Sequence, residues 1–370
     1  MIGTRVTRRA VSAGIALLAL GFAAGVPQAQ AQEAKKIVLL VNGNLGDRAF
    51  FDSGANGFAE IKAKYGDAVE TKVIEMGYDQ TKWLPTLEDV SEQGYDLIYV
   101  ITFSMVDPLA DVAARYPDQK YVLVDGVMAY EGGQFGNVYS VLFKQNEGSY
   151  LAGMLAAGLV RDGTIPADKG TTLGFLGGMD IPVINDFLVG YIEGAKAVTP
   201  DVKIAVSYAN SFDDSAKGKE LALAQYRAGT AIGFTAAGTA GLGQFAAAKE
   251  ADKLAIGVNS DEEAAIRPND PEMADKIVSS MLKRVDVSVL RAYELALEDK
   301  LPLGQAEVLG IAEGTIGLAD TDNLTKIASA QLRQDIEAAE ADIVAGKIAV
   351  GSAFGMDATA LAALRDSVRP

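Results

Sequence analysis

Leu97-Ile98-Tyr99-Val100-Ile101 is an unbroken run of five apolar residues. A strand with one wet face turns polar at every second position, so such a run predicts a strand covered on both faces. Its surroundings fit that reading. Residues 37–41 and 69–74 predict strands upstream, and 121–124 predicts one downstream. Between them, residues 50–64, 82–93 and 108–115 carry apolar side chains at helical spacing. Strands that alternate with helices make a parallel, doubly wound sheet.

The rhythm begins again after Glu147. Helices are expected at 148–160, 184–198, 216–228 and 242–251, with strands at 172–176, 203–207, 231–235 and 254–258. A long helix is expected over 275–298, a strand near 308–312, and helices over 326–345 and 357–366. Two α/β series predict two similar lobes, each with its own core. Open α/β sheets bind ligands beyond the carboxyl ends of their strands, so the cleft between the lobes is the expected site.

Composition narrows the chemistry. The chain has 370 residues, 49% of them apolar, and a formal charge of −16. Nucleic-acid binding needs clustered Lys and Arg, and this acidity opposes it. With no Cys there are no thiol nucleophiles, disulfides or thiolate metal sites. With no His the Ser-His-Asp triad and the commonest zinc ligand are absent too. No catalytic constellation, metal site or cofactor site is expected.

Residues 1–31 predict a cleavable export signal. Arg5, Arg8 and Arg9 precede an apolar stretch over 11–26, and Ala29-Gln30-Ala31 has the small-x-small form that signal peptidase accepts. The Arg8-Arg9 pair also suits the twin-arginine route. The competing reading is an uncleaved anchor helix. No later stretch reaches ~18 uninterrupted apolar residues, so the mature chain is expected to have no membrane span.

Four segments follow predicted strands. Residues 42–51 hold Asn42, Gly43, Asp47 and Phe50, which suit either a ligand or a plain βα turn with Asp47 as cap. Gly177-Gly178-Met179-Asp180-Ile181-Pro182 could cradle a phosphate but lacks the G-x-G-x-x-G spacing. Residues 236–243 could offer backbone amides through Gly238 or simply turn into a helix. Asn259-Ser260-Asp261-Glu262 is acidic without the ordered spacing of a calcium loop. Lys283-Arg284, placed on the expected long helix, reads as a solvated pair.

Several long stretches then match one pattern in order. LGFLGGMDIP (173–182), SYANSFDDSAKGKE (207–220), residues 236–243, IGVNSD (256–261), NVYSVLFKQNEGSYLAG (137–153) and SMLKRVD (280–286) together resemble the basic membrane protein family. These are substrate-binding proteins of ABC importers, with purine-nucleoside receptors among them. The resemblance implies a type I periplasmic-binding-protein fold with strands crossing near Phe143, Val258 and Leu303. The implied division is 32–143 plus 259–302 for one lobe and 144–258 plus 303–370 for the other.

It also implies a nucleoside-class ligand held at Asn42, Phe50, Asp125, Phe212, Gly238, Asn259 and Lys283. Phe50 and Phe212 match the aromatic pair that sandwiches the base, Asp125 a polar contact, and Lys283 the lysine that reaches the cleft. Asn42 and Asn259 depart from the family, where many relatives carry Asp. An amide donates and accepts, whereas a carboxylate only accepts, so ligand preference is open at these positions. The lipoprotein cysteine is missing, which implies a free periplasmic receptor in a two-membraned cell; a monomer serving permease and ATPase subunits is expected. The alternatives are the same role for a flavin-like, other aromatic or sugar-like ligand, a nucleoside-acting enzyme, or a surface interaction protein.

Overall fold

The computed structural model describes residues 34–370; the export signal expected at 1–31 lies outside them. The first lobe opens with β1 (Lys35–Val41), α1 (Phe50–Tyr65), β2 (Val69–Glu75), α2 (Trp83–Ser91), β3 (Leu97–Ile101), α3 (Val106–Arg115), β4 (Tyr121–Val124) and β5 (Val138–Phe143). The second series runs α4 (Gln145–Arg161), β6 (Thr172–Gly177), α5 (Pro182–Val198), β7 (Ile204–Tyr208), α6 (Ser215–Arg227), β8 (Thr230–Ala236), α7 (Thr239–Ala251) and β9 (Leu254–Asn259). Then come α8 (Glu262–Ile266), α9 (Pro271–Ala274), β10 (Ile277–Lys283), α10 (Val285–Leu297), β11 (Gln305–Leu309) and β12 (Ile316–Leu318). The chain closes with α11 (Asp322–Ile327), α12 (Ala330–Val344) and α13 (Ala358–Ser367).

Two six-stranded sheets result, ordered β11-β5-β4-β3-β1-β2 and β12-β10-β9-β8-β6-β7. All pairings are parallel except β10 with β12. Each lobe therefore repeats one strand order, with a winding reversal between β1 and β3 and between β6 and β8. Alternation along the strands separates the two faces. Ile37, Leu39, Val41, Tyr99 and Ile101 pack with Phe58 and Val289, whereas Val38, Leu40, Ile98 and Val100 pack with Leu87, Leu109 and Val112. Both faces are dry, so β3 needs no polar residue. Each fully buried aliphatic side chain contributes roughly 1.5–3 kcal/mol.

The strand runs at 97–101 and 121–124 form where their apolar character predicts. The expected long helix over 275–298 does not. Its first part is strand β10, which pairs parallel with β9, and only Val285–Leu297 is helical. A short apolar run such as Ile277-Val278 followed by Ser279-Ser280-Met281-Leu282 suits a buried strand or a buried helix equally, and only a pairing partner decides. This corrects the expected lobe boundaries. β9 and β10 share the second sheet and β11 pairs with β5 of the first, so the chain crosses after Phe143, after Lys283 and between Leu309 and Ile316. The lobes are 34–143 plus 284–309 and 144–283 plus 310–370.

Backbone hydrogen bonds tie the three crossings together. Lys144 N–H donates to the Leu309 carbonyl at 2.8 Å, and Arg284 N–H to that of Thr315 at 2.7 Å. The Glu147 carboxylate accepts from Ile311 N–H at 3.0 Å. The hinge is thus a bundle of three chains rather than a loose linker.

Candidate functional site: the cleft between the lobes

The carboxyl ends of both sheets face one cavity of about 460 Å³, within the ordinary range for small-molecule sites. All seven residues implied by the resemblance line it: Asn42, Phe50, Asp125, Phe212, Gly238, Asn259 and Lys283. Each follows or ends a strand, or stands on the turn or helix immediately beyond one.

On the first lobe, Asn42 and Thr102 follow the neighbouring strands β1 and β3 at the winding reversal. The Asn42 amide donates to Thr102 Oγ1 at 2.7 Å. Asn42 is only 4% exposed, and its Oδ1 is buried without a protein partner. Thr102 sits at φ 86° and Asp125 at φ 62°, in backbone conformations that non-glycine residues seldom adopt. Such conformations cost of order 1–3 kcal/mol each and gather at binding sites.

Asp47 behaves as the cap that the turn reading anticipates. Its carboxylate accepts from the N–H groups of Ala49 at 3.0 Å, Phe51 at 2.9 Å and Asp52 at 3.1 Å. Burial pushes its pKa up despite these bonds. Asp52 in turn accepts from Gly46 N–H at 2.7 Å and Arg48 N–H at 2.9 Å. The two carboxylates fix the turn that delivers Phe50 to the cavity.

Lys283 ends β10 and is only 1% exposed, so the solvated reading fails because the residue terminates a central strand rather than lying on a helix. Its Nζ donates to Asp125 Oδ1 at 2.6 Å, joining the two lobes. The ammonium also lies over the rings of Phe143 at 5.0 Å, Phe187 at 5.4 Å and Phe50 at 5.6 Å. Aromatic faces are negative, so three of them partly replace the lost water shell. Phe143 and Phe187 carried no site signal in the sequence, because a core aromatic and a cage aromatic look alike there.

The second lobe supplies a largely apolar wall. Phe212 lies against Gly178, where a Cβ would come within 2.4 Å of its ring. The second glycine of the 177–182 segment is thus explained by ring packing, and its phosphate reading has no support in the geometry. Gly238 stands at φ 56° at the start of α7. Ala240 N–H beyond it donates to the Phe212 carbonyl at 3.1 Å. The acidic turn after β9 folds away from the cavity. Asp261 caps α8 through Ala264 N–H, and buried Glu262 accepts from Val258 N–H at 2.7 Å. Asn259, at φ 67°, is the member of this turn that faces the cavity.

The lobes also meet at the rim. Ser260 Oγ donates to the Arg48 carbonyl at 2.6 Å, and Arg48 Nη1 to that of Ala265 at 3.1 Å. Tyr78 from the first lobe lies near Thr239 and Asp213 of the second, and burial, with the nearby Asp213 carboxylate, raises its phenol pKa. Among the described residues, no cluster of acidic side chains is placed to hold a metal ion.

Two similar lobes, a three-stranded hinge and a polar-aromatic cavity between them define a substrate-binding protein of the type I class. Solved structures agree. A solute-binding protein of an ABC transporter system from Aeropyrum pernix K1 superposes with a TM-score of 0.76 at 27% identity, over 90% of this chain and 98% of that one. Residues 34–353 match the family of ABC transporter substrate-binding proteins described as PnrA-like, and the chain belongs to it. The nucleoside-binding protein BmpA of an ABC transporter from Lactococcus lactis is 35% identical over 271 residues, covering 70% of this chain and 72% of the relative. Basic membrane protein A of Borreliella burgdorferi is 28% identical over 327 residues, covering 86% and 88%. No helix among the described residues is long and apolar enough to cross a membrane.

Proposed function

We propose that this protein binds a purine-nucleoside-like ligand in the cleft and delivers it, from the periplasm, to the permease and ATPase subunits of an ABC importer. One observation carries the reading: aromatic rings from opposite lobes, Phe50 and Phe212, line the same cavity as the Asn42 amide and the Lys283–Asp125 pair. Aromatic faces suit a flat base, and polar groups suit ribose hydroxyls. The Lactococcus lactis relative, named as nucleoside-binding, supports the same class. Asn42, Phe50, Asp125, Phe212, Gly238, Asn259 and Lys283 are the proposed ligand contacts. The proposed role is capture: the cleft offers donors, acceptors and rings, and the Lactococcus lactis relative is named for binding.

Isothermal titration against inosine, guanosine, adenosine and uridine tests it, after extraction of any co-purifying small molecule. Saturable binding of at least one purine nucleoside, with the nucleoside recovered intact, is the expected result. Binding of flavins or sugars alone would replace the cargo, and release of free base would reinstate the enzyme.

A further inference from the structure

We infer that Arg365, on the carboxyl-terminal helix α13, is a positioning residue for the ligand cleft, clamping from outside the two loops that form its second-lobe wall. The inference rests on the cleft being the ligand site, but not on which ligand it holds.

Arg365 reaches back to the far side of that wall. Its Nη1 donates to Asp180 Oδ2 at 3.0 Å and its Nη2 to Asp180 Oδ1 at 2.6 Å. The same Nη2 lies 2.7 Å from both Asn185 Oδ1 and the Tyr208 hydroxyl. The guanidinium carbon also lies over the Tyr208 ring, 5.1 Å from its centroid. Asn185 closes the circuit, donating to Asp180 Oδ1 at 2.9 Å and accepting from Tyr208 at 2.7 Å. A planar fork that meets a carboxylate with two bonds fixes direction as well as distance.

The positions of its partners give the clamp its consequence. Asp180 lies between Met179 and Ile181, which both line the cavity. Tyr208 ends β7, and the chain beyond it carries Ser211, Phe212 and Asp213 to the same cavity. One side chain therefore joins Asp180 in loop 178–182 to Tyr208, the strand residue from which loop 209–213 departs, each one or a few residues from cavity contacts. Helix α13 is itself held to the lobe, through Ile204 N–H to the Val368 carbonyl and Lys196 to Ser367. It lies past residues 34–353 that match the family pattern, so that pattern does not account for Arg365.

The test combines hydrogen exchange of the ligand-free full chain with inosine as the binding probe. Arg365→Ala and Asp180→Asn each remove the pair from a different side, so a folding defect in one leaves the other decisive. Each is expected to speed amide exchange in 178–182 and 209–213 by roughly threefold to tenfold, the range of a partly exposed but well-formed ion pair. Inosine dissociation should accelerate by a similar factor, and the equilibrium constant of global unfolding should rise by no more than that factor. The double variant should add little to Arg365→Ala, because Asp180 has by then already lost its guanidinium partner. Arg365→Lys, which keeps the charge but loses the fork, should fall between. Unchanged exchange in both loops would overturn the clamp, as would acceleration spread evenly over the second lobe. If inosine does not bind the parent protein, the nucleoside reading fails while the exchange measurement still decides the clamp.

Discussion

The two lobes repeat one strand order, yet equivalent strand ends carry opposite chemistry. After β1 and β3 the first lobe places Asn42 and Thr102, hydrogen-bonded to each other; after β6 and β8 the second places Gly178 and Gly238. After β4 it places Asp125, against Asn259 at the end of β9. The first lobe contributes three polar groups, two of them on strained backbone, whereas the second contributes a glycine-lined seat for Phe212 and only Asn259, at φ 67°, as the counterpart of Asp125. A repeated fold therefore fixes where a ligand meets the protein, while the residue at each strand end decides what it meets. Lys283 breaks the division: it belongs to the second sheet but pairs with the first lobe's Asp125.

That exception gives the largest expected effect. Asp125→Ala should leave a buried ammonium without its partner and cost about 3–5 kcal/mol in urea denaturation. Combining it with Lys283→Met should recover most of the loss, because two apolar residues need no pairing. Failure to recover would mean that the pair stabilises the junction of the two lobes beyond charge compensation.

The aromatic contrast comes next. Phe50→Ala and Phe212→Ala should each weaken binding of a purine nucleoside by roughly 1–3 kcal/mol in titration calorimetry. A loss from only one of them would show that the base stacks on one lobe alone. Gly178→Ala probes the seat rather than the ring. Its Cβ would displace Phe212, so the thermal midpoint should fall with a penalty of about 1–3 kcal/mol, and nucleoside affinity should fall with it.

The smallest effect concerns acid stability away from the cleft. Hydrogen bonds from Lys169 and Lys276 hold Asp252 at about 2, below its ordinary value of 3.8. Its folded pKa is depressed, so its stabilising contribution is complete above about pH 4 and disappears as pH falls through 2. Asp252→Asn should lower stability near neutrality and flatten the acid limb of the stability profile in that window, so that the two proteins converge below about pH 2. Asp186, near the cleft, behaves oppositely: burial raises its pKa, so its charged form is disfavoured and lowering the pH relieves that cost.

Much of this was legible in the residues because it depends on periodicity. Leu97–Ile101 and Tyr121–Val124 are strands in any context where both faces are covered, and the turns after them had to carry the site. The seven implied cleft residues came from resemblance, and spacing alone left Asn42, Phe50 and Gly238 open between turn and ligand. Thr102, Tyr78, Phe143 and Phe187 were missed because their side chains give no sign of what lies across the cleft. Arg365 was missed for a stronger reason: Asp180 lies 185 positions away in sequence.

The sequence by itself determined the alternation of strands and helices, the two lobes and the location of the cleft, since these follow from local apolar period and chain direction. Only the tertiary structure decided that Ile277–Lys283 is a strand, and hence where the chain crosses between lobes. It also turned Lys283 from a surface charge into a buried link, because a strand acquires its neighbours through pairing register, which no single segment encodes.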